Sequence, residues 1–213
     1  MAIKVYGSML STCTQRVVSV LIELGLDYEL SEVNMQKGEQ KAPDYIKDFH
    51  PFGRIPVLDD GEIRLFESRA ICQYLVAKYG KQHGLDAARH GSAAEIGTYE
   101  QAASVEFSYF DPSISGLAYE NIFKKFMRRG DADADAVAAH RATLSDTLDH
   151  YERVLATRQY LASNDFSLID LYHLPWIPFL SKLGLEGEIS SRPNLEAWWK
   201  RASSRPSWQQ LNK

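Results

Sequence analysis

The chain has 213 residues, of which 45% are hydrophobic, 11% aromatic and 24% charged, the proportions of an ordinary folded protein rather than of a disordered, collagenous or coiled-coil one. Its 24 Lys and Arg against 28 Asp and Glu leave a net charge of −4, spread evenly: 9 basic and 11 acidic side chains up to residue 80, 15 and 17 beyond it. No basic half exists to meet phosphate backbones, so nucleic acid is not an expected partner, and apolar runs such as Val17 to Ile22 fall far short of the ~20 residues of a membrane span.

Ile3 to Tyr6 reads as a short strand ended by Gly7-Ser8. Val17, Val20, Leu21 and Leu24 then recur at the spacing of one buried helix face, and Gly25 is placed to stop that helix. Tyr28 to Val33 supplies a second strand, which makes a βαβ unit with parallel pairing. Val57 to Asp59 and Glu62 to Phe66 flank Asp60-Gly61, a hairpin signal. A last helix from about Ser68 to Tyr79 is expected to bury Ile71, Tyr74 and Leu75.

After Gly80 the strand pattern ends. Residues 81–91 read as a linker, and residues 92–213 as an all-helical domain with three apolar faces: Ile96, Tyr99, Ala103, Phe107 and Phe110; Leu144, Leu148, Tyr151 and Leu155; Leu195, Trp198, Trp199 and Ala202. The fold class is therefore α/β plus all-α, with a βαβ-ββα domain over residues 1–80. Arg128 to Asp135 reads as a solvated turn, because the glycine and the final glutamate of a calcium loop are missing. The six His residues show no paired ligand spacing, so no metal is expected. The start of the chain lacks the apolar stretch of a leader peptide. Two cysteines are too few for a disulfide framework, which makes a reducing cytoplasm the expected location.

Three short segments of the first domain carry the chemistry. Leu10-Ser11-Thr12-Cys13 lies between the first strand and its helix; a hydroxyl there either caps the helix or donates to an anion held at the positive helix end. Gly53-Arg54-Ile55-Pro56-Val57 is either a plain strand edge or, with a cis Pro56, a backbone turned outward to pair with an extended peptide. Phe66-Glu67-Ser68-Arg69 joins a strand to a helix, where Ser68 is a cap or, with Glu67, grips the ammonium and carboxylate of an amino acid. Ser167 to Asp170 is also a tempting acid site, but Ser with an acid three residues on is a capping box, and Phe166 with Leu171 fits the hydrophobic staple.

With Arg16-Val17, Gly38 to Lys41, Pro51 to Pro56, Leu65 to Ile71, Phe110-Asp111-Pro112, Phe166 to Leu171, His173-Leu174-Pro175, Arg192-Pro193 and Arg205 to Trp208, the chain resembles a cytosolic glutathione transferase, most of all the phi class. The resemblance implies a thioredoxin-like first domain, a helical second domain, a homodimer, and a detoxifying conjugation of glutathione, a co-substrate rather than a cofactor, to hydrophobic electrophiles. By resemblance, Ser11 matches the catalytic serine and Lys41 a residue near the glycine end of glutathione. The backbone of Ile55 matches the partner of the cysteinyl part, and Glu67 and Ser68 match the holders of the γ-glutamyl end. Gln40 and Arg54 stand where the class often has His and Gln; both keep donors for glutathione.

The chemistry asked for is modest. A thiol with pKa near ~8.5 must become a thiolate at neutral pH, and two pKa units correspond to about 2.7 kcal/mol, within reach of one charge-assisted hydrogen bond at a helix N-terminus. Ser11 leads, with Thr12 as a substitute hydroxyl; Tyr6 reads as strand packing, and Cys13 as a residue facing away from the ligand. Leu10, Tyr119 and Phe123 are the candidates for an apolar second-substrate pocket, beside the reading that the last two are ordinary core. Two other functions share these features: a non-enzymatic carrier of hydrophobic ligands, and a Cys13-dependent glutathione thiol transferase.

Overall fold

The computed structural model describes residues 3–211; residues 1–2 of the expected first domain and residues 212–213 of the expected helical domain lie outside them. The described chain divides into two compact units, one running to Asp86 and taking in the residues from Arg205 onward, the other spanning Ala87–Ser204.

In the first unit, β1 (Ile3–Gly7) and β2 (Tyr28–Glu32) pair in parallel, with α1 (Thr12–Glu23) as the crossover. β3 (Val57–Asp59) runs antiparallel to β1, and β4 (Arg64–Phe66) antiparallel to β3, giving the order β2-β1-β3-β4. This is the expected thioredoxin-like sheet. Val17, Val20, Leu21 and Leu24 are buried as predicted. Gly25, at φ 65°, ends the helix in a Schellman motif: Leu26 N–H donates to the Leu21 carbonyl and Gly25 N–H to that of Ile22. The β3–β4 connection is longer than the two-residue hairpin expected. Asp60 caps it with its own carboxylate, accepting from the amides of Glu62 and Ile63 at 3.1 Å, so β4 starts two residues late.

α3 spans Ser68–Tyr79. It buries Ile71, Cys72, Leu75 and Val76, but not Tyr74, whose ring is drawn out to the Asp60 carboxylate that Lys78 (2.8 Å) and Tyr79 (3.2 Å) also reach. Burial of Asp60 works to raise its pKa, and the bonds from Lys78, Tyr74 and the amides of Ile63 and Glu62 outweigh it, holding the group below the usual carboxylate range. α2 (Pro43–Asp48) lies between β2 and β3 in the chain. The closing helix α12 (Pro206–Leu211) packs on α1, where Glu23 accepts from Arg205 Nε at 3.0 Å and from Ser207 Oγ. α1 is buried on more than one side, so it needs this second cover.

The second unit is helical. The chain runs from Ala93 to Phe126 as α4 (Ala93–Val105), α5 (Asp111–Ala118) and α6 (Lys124–Phe126), joined by π-turns over Glu106–Phe110 and Tyr119–Phe123. The first π-turn overturns part of the predicted face. Its wider turn rotates Glu106 inward and leaves Phe107 62% exposed, while Ile96 is also exposed; Tyr99 and Phe110 are buried as expected. α7 (Ala134–Leu155) buries Leu144, Leu148, Tyr151 and Leu155, and Asp133 of the acidic turn is its N-cap. Then follow α8 (Leu168–His173), α9 (Ile177–Lys182), α10 (Gly187–Ser190) and α11 (Pro193–Ser203). The Ser167–Asp170 capping box is present, and the Asp170 carboxylate also accepts from Leu161 N–H at 2.9 Å and Trp198 Nε1–H at 2.8 Å.

Candidate active site

β1 delivers the chain to a tight turn before α1. Ser11 N–H donates to the Ser8 carbonyl at 2.9 Å, and Ser8 N–H reaches Thr14 Oγ1 at 3.3 Å. A side chain at Gly7 would meet that same Oγ1 at 2.7 Å, so only glycine lets the helix begin this close to the strand. Ser11 is the N-cap: its Oγ accepts from Thr14 N–H at 3.4 Å. The two readings of this hydroxyl are compatible. An oxygen that accepts from the helix still carries a proton to give. The amides of Thr12 and Cys13 precede the first amide bonded within the helix, Gln15 to the Ser11 carbonyl at 2.9 Å, so this end also offers donors and dipole to an anion.

Lys41, Arg54 and Glu67 come from three separate segments, and all three act electrostatically on one buried imidazole, His50. Burial lowers the His50 pKa most; Glu67 opposes that shift, and Arg54 and Lys41 add to it. His50 packs against Phe66 with the rings tilted by 38° and 4.6 Å between centroids, and its Nδ1 accepts from Phe52 N–H at 3.3 Å. Lys41 Nζ donates to the Phe52 carbonyl at 3.0 Å, and its stem passes over Gly53, where a Cβ would strike the Gln40 carbonyl at 2.6 Å. Gln40 keeps a buried Oε1 for which the described residues provide no hydrogen-bond donor. The Ile55-Pro56 bond is cis, with Ile55 half-buried beside the exposed Arg54.

At the β4–α3 junction Glu67 has φ 69° and ψ 105° and caps α3 without using its side chain, which stays exposed. A glutamate held at positive φ is the kind of strain that collects at ligand sites. Ser68, the first residue of α3, is buried, and its Oγ accepts from Arg16 Nη1 at 2.8 Å. The same Nη1 lies 3.8 Å from Cys13 Sγ, so the Cys13 sulfur turns into the seam between α1 and α3. Burial pushes the Cys72 thiol up to about 12, which leaves it inert. Tyr6 packs edge-on against Phe49 at 4.6 Å, in keeping with strand packing.

Of the predicted apolar residues, Leu10 stands 77% exposed beside Ser11. Tyr119 and Phe123 occupy the second π-turn, both half-buried, with Phe123 edge-on to Phe179 at 6.0 Å. Sequence reasoning assigned no role to His50 or Arg16. The signal for Arg16 was present, since it stands four residues before Val20 on the predicted buried face of α1.

Two family models match the chain: the N-terminal domain of glutathione S-transferases over residues 1–77, and their C-terminal domain over residues 70–206. The chain belongs to the glutathione S-transferase family. It is 44% identical over 198 residues to glutathione S-transferase PM239X14 of Arabidopsis thaliana, covering 92% of this chain and 89% of that protein. Glutathione transferase F7 of Populus trichocarpa has a TM-score of 0.89 at 35% identity, over 99% of this chain and 98% of that one. Glutathione S-transferase I from maize, solved with an atrazine glutathione conjugate, has a TM-score of 0.87 at 30% identity, over 99% and 96%. These plant relatives make this transferase phi-class-like.

Proposed function

We propose that the chain conjugates glutathione to hydrophobic electrophiles, with the Ser11 hydroxyl donating to the glutathione thiolate. The observation that carries this reading is the Ser11 geometry: an N-cap oxygen satisfied by Thr14, a proton left to give, and a helix N-terminus behind it. The thiolate's electron pair forms the new C–S bond while the leaving group departs with its own bonding pair. Nothing attacks Ser11, so no Ser–His–Asp relay is required. Glu67 and Ser68 hold the γ-glutamyl end in this reading, the Ile55 backbone the cysteinyl part, and Lys41 the glycine end, with Gln40 and Arg54 as further donors to glutathione. The gathering of Lys41, Arg54 and Glu67 around His50 supports a single site for these groups.

Leu10, Tyr119 and Phe123 are proposed, on the sequence reading of an apolar pocket, to contact the electrophile. The exposed Phe52 and Phe107 support a homodimer, to be checked by sedimentation. Cys13 and Cys72 are both free, which supports a reducing, cytoplasmic location, and a detoxifying role follows from the proposed conjugation; among the described residues no helix is long and apolar enough to cross a membrane. One observation favours a second reading, a Cys13 thiol transferase: the Cys13 sulfur sits at a helix start within 3.8 Å of a guanidinium nitrogen. Turnover of a chloronitrobenzene-type electrophile with glutathione tests the first reading and separates it from a ligand carrier; turnover of mixed disulfides alone overturns it.

A further inference from the structure

Arg16 is 0% exposed, a placement arginine tolerates only when its donors are engaged. Its Nη1 donates to Ser68 Oγ at 2.8 Å and lies 3.8 Å from Cys13 Sγ, and its carbonyl accepts from the Cys72 thiol at 3.8 Å. One residue of α1 thus reaches both the first turn of its own helix and the first residue of α3.

The direction of the Ser68 bond matters. A guanidinium has five donors and no acceptor, so Ser68 Oγ must accept from Arg16. Its proton must then point elsewhere. A carbonyl or carboxylate in place of Arg16 would take that proton and leave Ser68 with only lone pairs to show a ligand. With Arg16 present, the hydroxyl at the start of α3 is committed to donating, which is what an incoming carboxylate needs. The adjoining Glu67 uses only its backbone at this helix end, with its side chain left for the ligand.

We propose that Arg16 is a positioning residue for glutathione, fixing the Ser68 hydroxyl as a donor to the γ-glutamyl carboxylate. The proposal rests on the reading above that this end of glutathione lies at Glu67 and Ser68. Arg16 does not touch the ligand. It acts through Ser68, and because it belongs to the helix that Ser11 caps, it also ties the carboxylate anchor to the thiolate end of the site.

The test uses the full-length protein and two ligands, glutathione and an analogue in which 4-aminobutyrate replaces the γ-glutamyl residue and so removes only its carboxylate. Arg16→Met is expected to raise the KM for glutathione about tenfold, the size of one charge-assisted bond, with kcat changed less than about twofold, and Arg16→Lys to recover part of the loss. For the analogue, parent and Arg16→Met are expected to differ less than about twofold, and in a Ser68→Ala background Arg16→Met should add little. An equal loss for both ligands, or a loss that adds fully to that of Ser68→Ala, would make Arg16 a packing residue and overturn the proposal. Should the Arg16 variants not fold, the parent decides. With ¹⁵N-labelled arginine, the Arg16 Nη1 signal is expected to shift on adding glutathione but not the analogue; the same response to both overturns the proposal. Equal affinity of the parent for the two ligands is a separate result, and it overturns the placement of glutathione itself.

Discussion

Replacing Asp170 by Ala removes an acceptor that serves four donors: Leu161 N–H at 2.9 Å, Trp198 Nε1–H at 2.8 Å, and the Ser167 N–H and Oγ–H at 3.0 Å each. The Ser167 hydroxyl can turn elsewhere, but three N–H groups stay buried without an acceptor. At about 1–2 kcal/mol for each stranded donor, the loss is about 3–6 kcal/mol. Asp170→Asn keeps the shape and one acceptor oxygen, so about 1–3 kcal/mol is expected. Ser167→Ala removes the cap alone, about 1 kcal/mol. Urea unfolding with linear extrapolation reads all three, and for a chain of this size the Ala variant should also melt about 6–24 °C lower. The same variants separate the capping role from an acid role. Folded Asp170→Asn should keep its conjugation kcat within about twofold. An Ala variant destabilised by less than about 1 kcal/mol, or a folded Asn variant slowed a hundredfold, would refute this account of the residue.

Ser68→Ala and Glu67→Ala should each weaken glutathione binding by at least about 1.5 kcal/mol, measured by calorimetry beside the melting temperature; unchanged affinity in folded variants removes the residue from the site. His50 should make stability depend on pH. Burial holds its folded pKa below the unfolded value near ~6.5, so its contribution is complete above that pH and is lost as pH falls through the lower folded value. The Lys41, Arg54 and Glu67 charges face the ring, and His50→Asn should flatten the urea midpoint between pH 7 and 5 by removing this titration. Gly53→Ala combines a φ of 58° with a Cβ 2.6 Å from the Gln40 carbonyl and 2.9 Å from Lys41 Cδ. It should destabilise by about 1–3 kcal/mol and raise the KM for glutathione by displacing Lys41; parent-like values for both would show that the loop shifts freely.

What could be read from the sequence was local. The α1 face and its glycine stop, the start of α3 at Ser68 and the Ser167–Asp170 box each depend on residues within two turns of one another, and each is present as expected. The failures share a cause. Phe107 was placed inward on the assumption of 3.6 residues per turn, and no short-range pattern announces the π-turn that rotates it out. Tyr74 fits its helix face but follows Asp60, a partner from a distant loop. The last helix carries no mark of which unit it covers; that depends on α1 needing a second cover. His50 and Arg16 went without roles because burial of a polar side chain is settled by tertiary packing, whereas Ser11, Glu67 and Ser68 stand at element ends that the sequence does reveal.

If the Ser11 hydroxyl at the start of α1 holds glutathione as its thiolate, the pKa of the bound thiol depends on that hydroxyl. Thiolate absorbance of the glutathione complex, followed against pH, gives that value for the parent, Ser11→Ala, Ser11→Ala with Thr12→Ala, and Cys13→Ser. Ser11→Ala should leave affinity nearly intact and raise the bound thiol's pKa by at least about one unit, equivalent to about 1.4 kcal/mol. Conjugation at neutral pH should slow about tenfold and partly recover in alkali, where the thiolate forms unaided. The double variant should show the full shift if Thr12 substitutes, and Cys13→Ser should behave as the parent. If both serine variants keep the parent's thiol pKa while Cys13→Ser abolishes activity, the serine account is contradicted and the cysteine carries the reaction.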